Sequence, residues 1–110
     1  MKNFLKSFGI IAVIAVISLT LAGCGGKNSY LQVINQDPNG KSIIMVKIEQ
    51  AGLQWDNLII ATGESKKFNL KNFHGRGFVG AYVGNNYYGN YFEFFEGKTT
   101  TVTWDGRNFK

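Results

Sequence analysis

The sequence predicts an all-β domain, a small antiparallel two-sheet sandwich of about seven strands, placed after an N-terminal helical signal segment. From Tyr30 onward no stretch of ten or more residues holds apolar side chains at helical spacing, whereas β-branched and aromatic residues recur with period two. Turn residues cut that alternation into short pieces at spacings of roughly 8–12 residues, the rhythm of a sandwich rather than of a βαβ fold.

The chain opens differently. Lys2 and Lys6 precede a nearly unbroken apolar run from Phe8 to Ala22, interrupted only by Ser18 and Thr20. This is the build of a secretory signal peptide. The run is roughly 15 residues, short of the roughly 20 that a helix needs to cross a hydrocarbon core, so a stable span is not expected. At its end stand Leu21, Ala22, Gly23 and Cys24, which resemble the lipobox of bacterial lipoproteins at all four positions. The resemblance implies that residues 1–23 are removed and that Cys24 becomes the N-terminus, with diacylglycerol on its thiol and commonly a further acyl chain such as palmitate on its amine. Each buried methylene contributes about 0.8 kcal/mol, so one chain anchors marginally and two or three anchor durably. A lone cysteine makes no intrachain disulfide. The expected address is the bacterial cell envelope. Gly25 after the cysteine implies the outer membrane in a host with two membranes.

Without the signal about 87 residues remain, enough for one small domain. Loss of Lys2 and Lys6 lowers the formal charge from +5 to +3, and the remaining charges are scattered without runs. That balance gives no electrostatic footprint for nucleic acid, so the expected partners are the membrane, through the anchor, and a protein or glycan of the envelope.

Residues 24–29, rich in glycine and polar, read as a lipidated flexible tether, and residues 30–110 as the sandwich. Strand signals run in order. Tyr30 to Asn35 is followed by Asp37-Pro38-Asn39-Gly40, whose residues suit a type I turn and a hairpin. In Ser42 to Gln50, Ile44, Val46 and Ile48 alternate with Met45, Lys47 and Glu49, one set for the core and one for water. Ala51 to Gln54 reads as a turn, and Trp55 to Ala61 as a short apolar strand. Ser65 to Leu70 sets Phe68 and Leu70 opposite Lys67 and Asn69. Arg76 to Gly84 carries Gly77, Gly80 and Ala81, which predict a bulge or a close approach. Asn85-Asn86 turns the chain into Tyr87 to Glu96. Finally, Lys98 to Trp104 places Val102 and Trp104 inward, with Thr99, Thr101 and Thr103 in water. Only Arg107 to Lys110 follow the Asp105-Gly106 turn, so the chain is expected to end on an edge.

The order of these signals resembles small prealbumin- or immunoglobulin-like sandwich domains of bacterial lipoproteins. The residues that carry the likeness are Val33-Ile34-Asn35, the run from Gly63 to Leu70, and Gly97 to Val102. The chain departs from that group in having Gly77-Phe78-Val79-Gly80 where a Gly-Thr-Tyr-like opening is typical. The likeness implies a fold and leaves the function open.

Chemistry-bearing residues are sparse. His74 stands in a glycine-bearing loop with no Cys, Asp or second His at ligand spacing, so no metal and no cofactor is expected. Glu93 and Glu96 are three residues apart on a strand and its turn, which sets them on opposite faces and denies them an acid–base role. Asp37 to Gly40 lacks the alternating oxygen ligands of a calcium loop. No catalytic residue is assigned and no enzyme is expected. Gly84 to Tyr91 is richer, because Tyr, Asn and Gly together are what recognition loops use. Asn86, Tyr87, Tyr88 and Tyr91, together with Trp55, are the candidate binding residues. Strand parity groups Tyr88 with Phe92 and Phe94 inside, and leaves Tyr87 and Tyr91 for solvent. A non-enzymatic binding or accessory lipoprotein, a glycan-binding module and an inhibitor or immunity-like protein all fit this pattern.

Overall fold

The computed structural model of the chain describes residues 27–110. The signal segment, Cys24 and the two glycines after it lie outside the described residues. Seven strands follow: β1 (Tyr30–Asn35), β2 (Ile43–Ile48), β3 (Leu53–Trp55), β4 (Ser65–Asn69), β5 (Gly75–Val83), β6 (Asn86–Phe94) and β7 (Thr99–Trp104). They form two facing sheets, a three-stranded one ordered β4-β1-β7 and a four-stranded one ordered β3-β2-β5-β6. Every pairing is antiparallel except β1 with β7, which run side by side in the same direction.

Alternation makes the core. Leu31 and Val33 of β1, Phe68 of β4, and Val102 and Trp104 of β7 meet Val46, Ile48, Val79, Ala81, Val83 and Phe94 of the other sheet, all buried. At about 1.5–3 kcal/mol for each large apolar side chain fully withdrawn from water, this layer is what holds a disulfide-free domain together. Lys66 and Lys67 lie exposed on edge strand β4, where charge discourages a further strand from adding.

Three expectations fail locally. Asp37 to Gly40 does form a turn, with the Gly40 N–H donating to the Asp37 carbonyl at 3.2 Å, but β1 and β2 belong to different sheets and make no hairpin. The reason is side-chain capture. Asn35 is fully buried and its Nδ2 donates to the carbonyls of Lys41 and Ile60, both at 2.8 Å, which bolts the end of β1 to the opposite sheet. Second, a bulge between Ile43 and Met45 breaks the alternation in β2, so Ile43, Met45 and Val46 are buried while Ile44 is 42% exposed. Third, the short strand is Leu53–Trp55 rather than Trp55 to Ala61. Asn57 at φ 57° interrupts the ladder, and only Ile60 regains it by bridging Ile43. The chain does end on an edge as expected: β7 is the outer strand of its sheet, and the C-terminus returns along it. Thr103 and Lys110 exchange backbone hydrogen bonds at 2.8 and 3.0 Å, and Phe109 is buried against Trp104.

Composition assigns residues 24–29 to a flexible stretch, but Ser29 belongs to the folded domain. Ser29 is fully buried, and its hydroxyl donates to the Phe73 carbonyl at 2.6 Å.

Candidate functional site

β5 and β6 join through Gly84 and Asn85, with Gly84 at φ 61°, and pair without interruption from Gly75 opposite Phe94 to Val83 opposite Asn86. An unbroken nine-residue register fixes which side chains share a face. On the inner face are Gly77, Val79, Ala81 and Val83 of β5, with Tyr88, Phe92 and Phe94 of β6. On the outer face are four opposed pairs: Arg76 with Glu93, Phe78 with Tyr91, Gly80 with Gly89, and Tyr82 with Tyr87.

The two glycines at the centre give this face its shape. A Cβ on Gly80 would collide with the Tyr87 ring, and one on Gly89 with the Phe78 ring. Each glycine is therefore roofed by an aromatic from the other strand. The rings then meet in pairs, Phe78 edge-on to Tyr91 with centroids 5.1 Å apart and Tyr82 tilted against Tyr87 at 5.2 Å. The Arg76 guanidinium lies 4.8 Å above the Tyr91 ring, a cation–π contact that extends the row. Tyr82, Tyr87 and Tyr91 remain 42, 45 and 49% exposed. Lys47, opposite Gly80 on β2, borders the same face and pairs with Glu49 at 3.3 Å.

The structure sorts the candidate residues. Tyr87 and Tyr91 are on the open face, whereas Asn86, opposite Val83, has the inward parity and is exposed at the turn end of β6. Tyr88 turns inward and packs on Trp104 at 4.5 Å. Trp55 does not join the tyrosines. It sits on β3, at the opposite edge of the sheet, tilted against Phe68 at 4.6 Å and half-buried. Phe78, Tyr82 and Arg76 complete the face, and the sequence reading passed over them. Their signal was present, since Arg76, Phe78, Gly80 and Tyr82 alternate in the same way as Tyr87, Gly89 and Tyr91.

A second feature lies at the other end of the hairpin, a shallow depression lined by His74, Gly75, Glu93, Phe95 and Glu96. His74 Nδ1 is 3.6 Å from Glu96 Oε2, and both side chains are largely in water. Both glutamates reach this depression, because β6 ends at Phe94 and its alternation does not extend to Glu96. Among the described residues no group of three or more His, Cys, Asp or Glu side chains is placed to hold a metal ion.

Fold and face together define a small β-sandwich with an aromatic sheet face open to solvent. No family model, curated protein or solved structure matches the chain.

Proposed function

We propose that the chain is a non-enzymatic, lipid-anchored envelope lipoprotein of the small prealbumin- or immunoglobulin-like kind, in which the outer face of β5 and β6 binds a partner. The observation that supports the binding role is the solvent-facing cluster of Phe78, Tyr82, Tyr87 and Tyr91, organised around Gly80 and Gly89. Exposed rings gathered on one sheet face are unusual on a monomer and mark interaction surfaces. Their two-torsion side chains lose little entropy on binding.

Two classes of partner follow from this chemistry. An envelope protein would bury the rings as anchors, with Arg76, Glu93 and Lys47 at the rim. A glycan would stack its apolar ring faces on them, a reading favoured by the rings of Phe78 and Tyr87 resting on bare glycine backbone.

Two experiments test the proposal. Cys24→Ala should abolish acyl-label incorporation and detergent partitioning, and equal labelling of variant and parent removes the anchor. Tyr87→Ala with Tyr91→Ala should keep a cooperative melt at a cost of about 1–2 kcal/mol, the worth of two cross-strand aromatic pairs. The same pair should lose the partner retained by the parent in an envelope pull-down or on a glycan array. Retention with a collapsed melt makes the rings structural and places recognition elsewhere.

A further inference from the structure

We propose that the end of the sandwich from which the N-terminal tether leaves docks on an anionic lipid surface, with Phe95 at the boundary between headgroups and acyl chains; this rests on the anchor at Cys24. The tether has almost no slack. The Asn28 carbonyl accepts from the Gly97 N–H at 3.1 Å, and the Ser29 N–H donates to the Lys71 carbonyl at 2.7 Å while its carbonyl accepts from the Leu70 N–H at 2.9 Å. The Lys27 side chain lies over Gly97. The domain thus begins at Lys27, and only Gly25 and Gly26 separate it from the acylated residue. Three Cα steps span at most about 11 Å, so the anchored domain cannot stand clear of the headgroup layer.

The surface around that exit suits such a contact. It is built from the β4–β5 connection through His74 and the β6–β7 connection through Lys98. Phe95 projects there, 56% exposed, and is the only large apolar side chain at this end among the described residues that is left in water to that degree. Lys27, Lys71 and Lys98 stand on the segments that meet at this end, all exposed, and none is in an ion pair among the described residues. The carboxylates nearby are Glu93 and Glu96, the latter facing His74. An exposed Phe inserts at the boundary between headgroups and acyl chains, and lysines beside it are drawn to anionic lipid.

Docking on this end makes a depth gradient along β6. Phe95 directly follows the last residue of β6, and eight residues at about 3.3 Å each put position 87 about 26 Å from it along the strand, toward the far end of the domain. The full chain, produced with its acyl groups and verified by mass, is reconstituted in vesicles of phosphatidylcholine and phosphatidylglycerol with brominated acyl chains. Phe95→Trp should show at least twofold quenching of the added emission over the parent, which carries only Trp55 and Trp104, and Tyr87→Trp should show none. Phosphatidylcholine alone should weaken the quenching. Amide exchange in the unsubstituted protein should slow several-fold across residues 71–74 and 95–98 and stay unchanged across 57–64. Acylated protein with neither quenching at 95 nor local slowing overturns the docking and leaves the anchor intact. Equal quenching at 87 overturns it in favour of the aromatic face lying flat on lipid. An unacylated product overturns the anchor and the docking together.

Discussion

One strand, β6, carries two aromatic clusters, and they are built by opposite rules. On its inner side Tyr88 packs on Trp104 at 4.5 Å, and Phe109 packs on the same indole at 4.9 Å. The indole N–H donates to Asp37 Oδ2 at 2.9 Å, so the one polar atom of this ring is satisfied where water does not reach. On its outer side Tyr87 finds its ring partner in Tyr82, and Tyr91 in Phe78 and Arg76, all from β5, and both keep nearly half their surface in water. The comparison shows that aromatic content alone does not separate structure from recognition. What separates them is whether rings are enclosed from several elements, as Trp104 is from β6, the C-terminus and the Asp37 turn, or carried by one hairpin.

The strongest way to break the inner cluster is Trp104→Ala. It should cost about 3–5 kcal/mol in lost burial and residual cavity. It also leaves the buried Asp37 carboxylate without its indole donor, which adds a desolvation penalty. In a domain of this size that is most of the stability, and the urea midpoint should fall accordingly. Trp104→Phe keeps part of the packing and loses the hydrogen bond together with some ring volume, so its loss should be smaller than that of the alanine variant.

The inner cluster also marks where sequence reading succeeds and where it stops. Trp104, Val102, Phe94 and Phe68 were legible because each alternates with polar neighbours on an unbroken strand. The outward parity of Tyr87 and Tyr91 was legible for the same reason. Ile44 was misassigned because a single extra residue in β2 exchanges the two faces, and nothing local in Ile43-Ile44-Met45-Val46 announces it. Ile44→Ala is thus a change at a half-exposed side chain, not a core deletion. Phe109 was missed because its burial depends on a two-residue return along β7, too short for periodicity to register. Trp55 was grouped with the tyrosines by composition, yet sheet order sets β3 and β6 at opposite edges. Strand order is a tertiary outcome, and alternation within a strand carries no information about it.

On the outer face the two glycines offer a finer test. Gly89→Ala sets a methyl against the Phe78 ring and 2.6 Å from the Val79 carbonyl oxygen, and backbone cannot swing away. Overpacking of this kind should cost about 1–3 kcal/mol. Gly80→Ala meets first the far end of the Tyr87 side chain, which is half in water and has solvent to move into. Its melt should move by less than about 1 kcal/mol, while the Tyr82–Tyr87 contact opens and partner retention falls. Equal destabilisation by both would mean that Tyr87 is held as firmly as an inner ring, and the contrast between the clusters would fail.

The smallest expected effect is in acid and concerns the turn beside the inner cluster. Asp105 accepts the backbone N–H groups of Asn108 and Arg107, both at 2.8 Å, and its Oδ2 lies 3.1 Å from Lys110 Nζ. These donors, Asn108 first, hold its pKa down from the ordinary 3.8 to about 2. The Asp37 carboxyl is lowered as well, chiefly by the Trp104 indole N–H against an opposing effect of burial. A carboxylate more acidic in the folded than in the unfolded chain contributes stability that is complete above its unfolded value and is lost as pH falls through its folded one. The melting temperature should therefore be flat from neutral pH down to about 4 and decline between about 3.8 and about 2. Asp105→Asn keeps an acceptor for the two N–H groups but has no proton to take up, so its decline in that window should be shallower than the parent's. The part of the slope that remains should belong to Asp37 and should shrink in Trp104→Phe, where the donor that lowers its pKa is gone. A parent and an Asp105→Asn variant with superimposable profiles would mean that the turn is already open in the folded protein, and that Phe109 is held against Trp104 by packing alone.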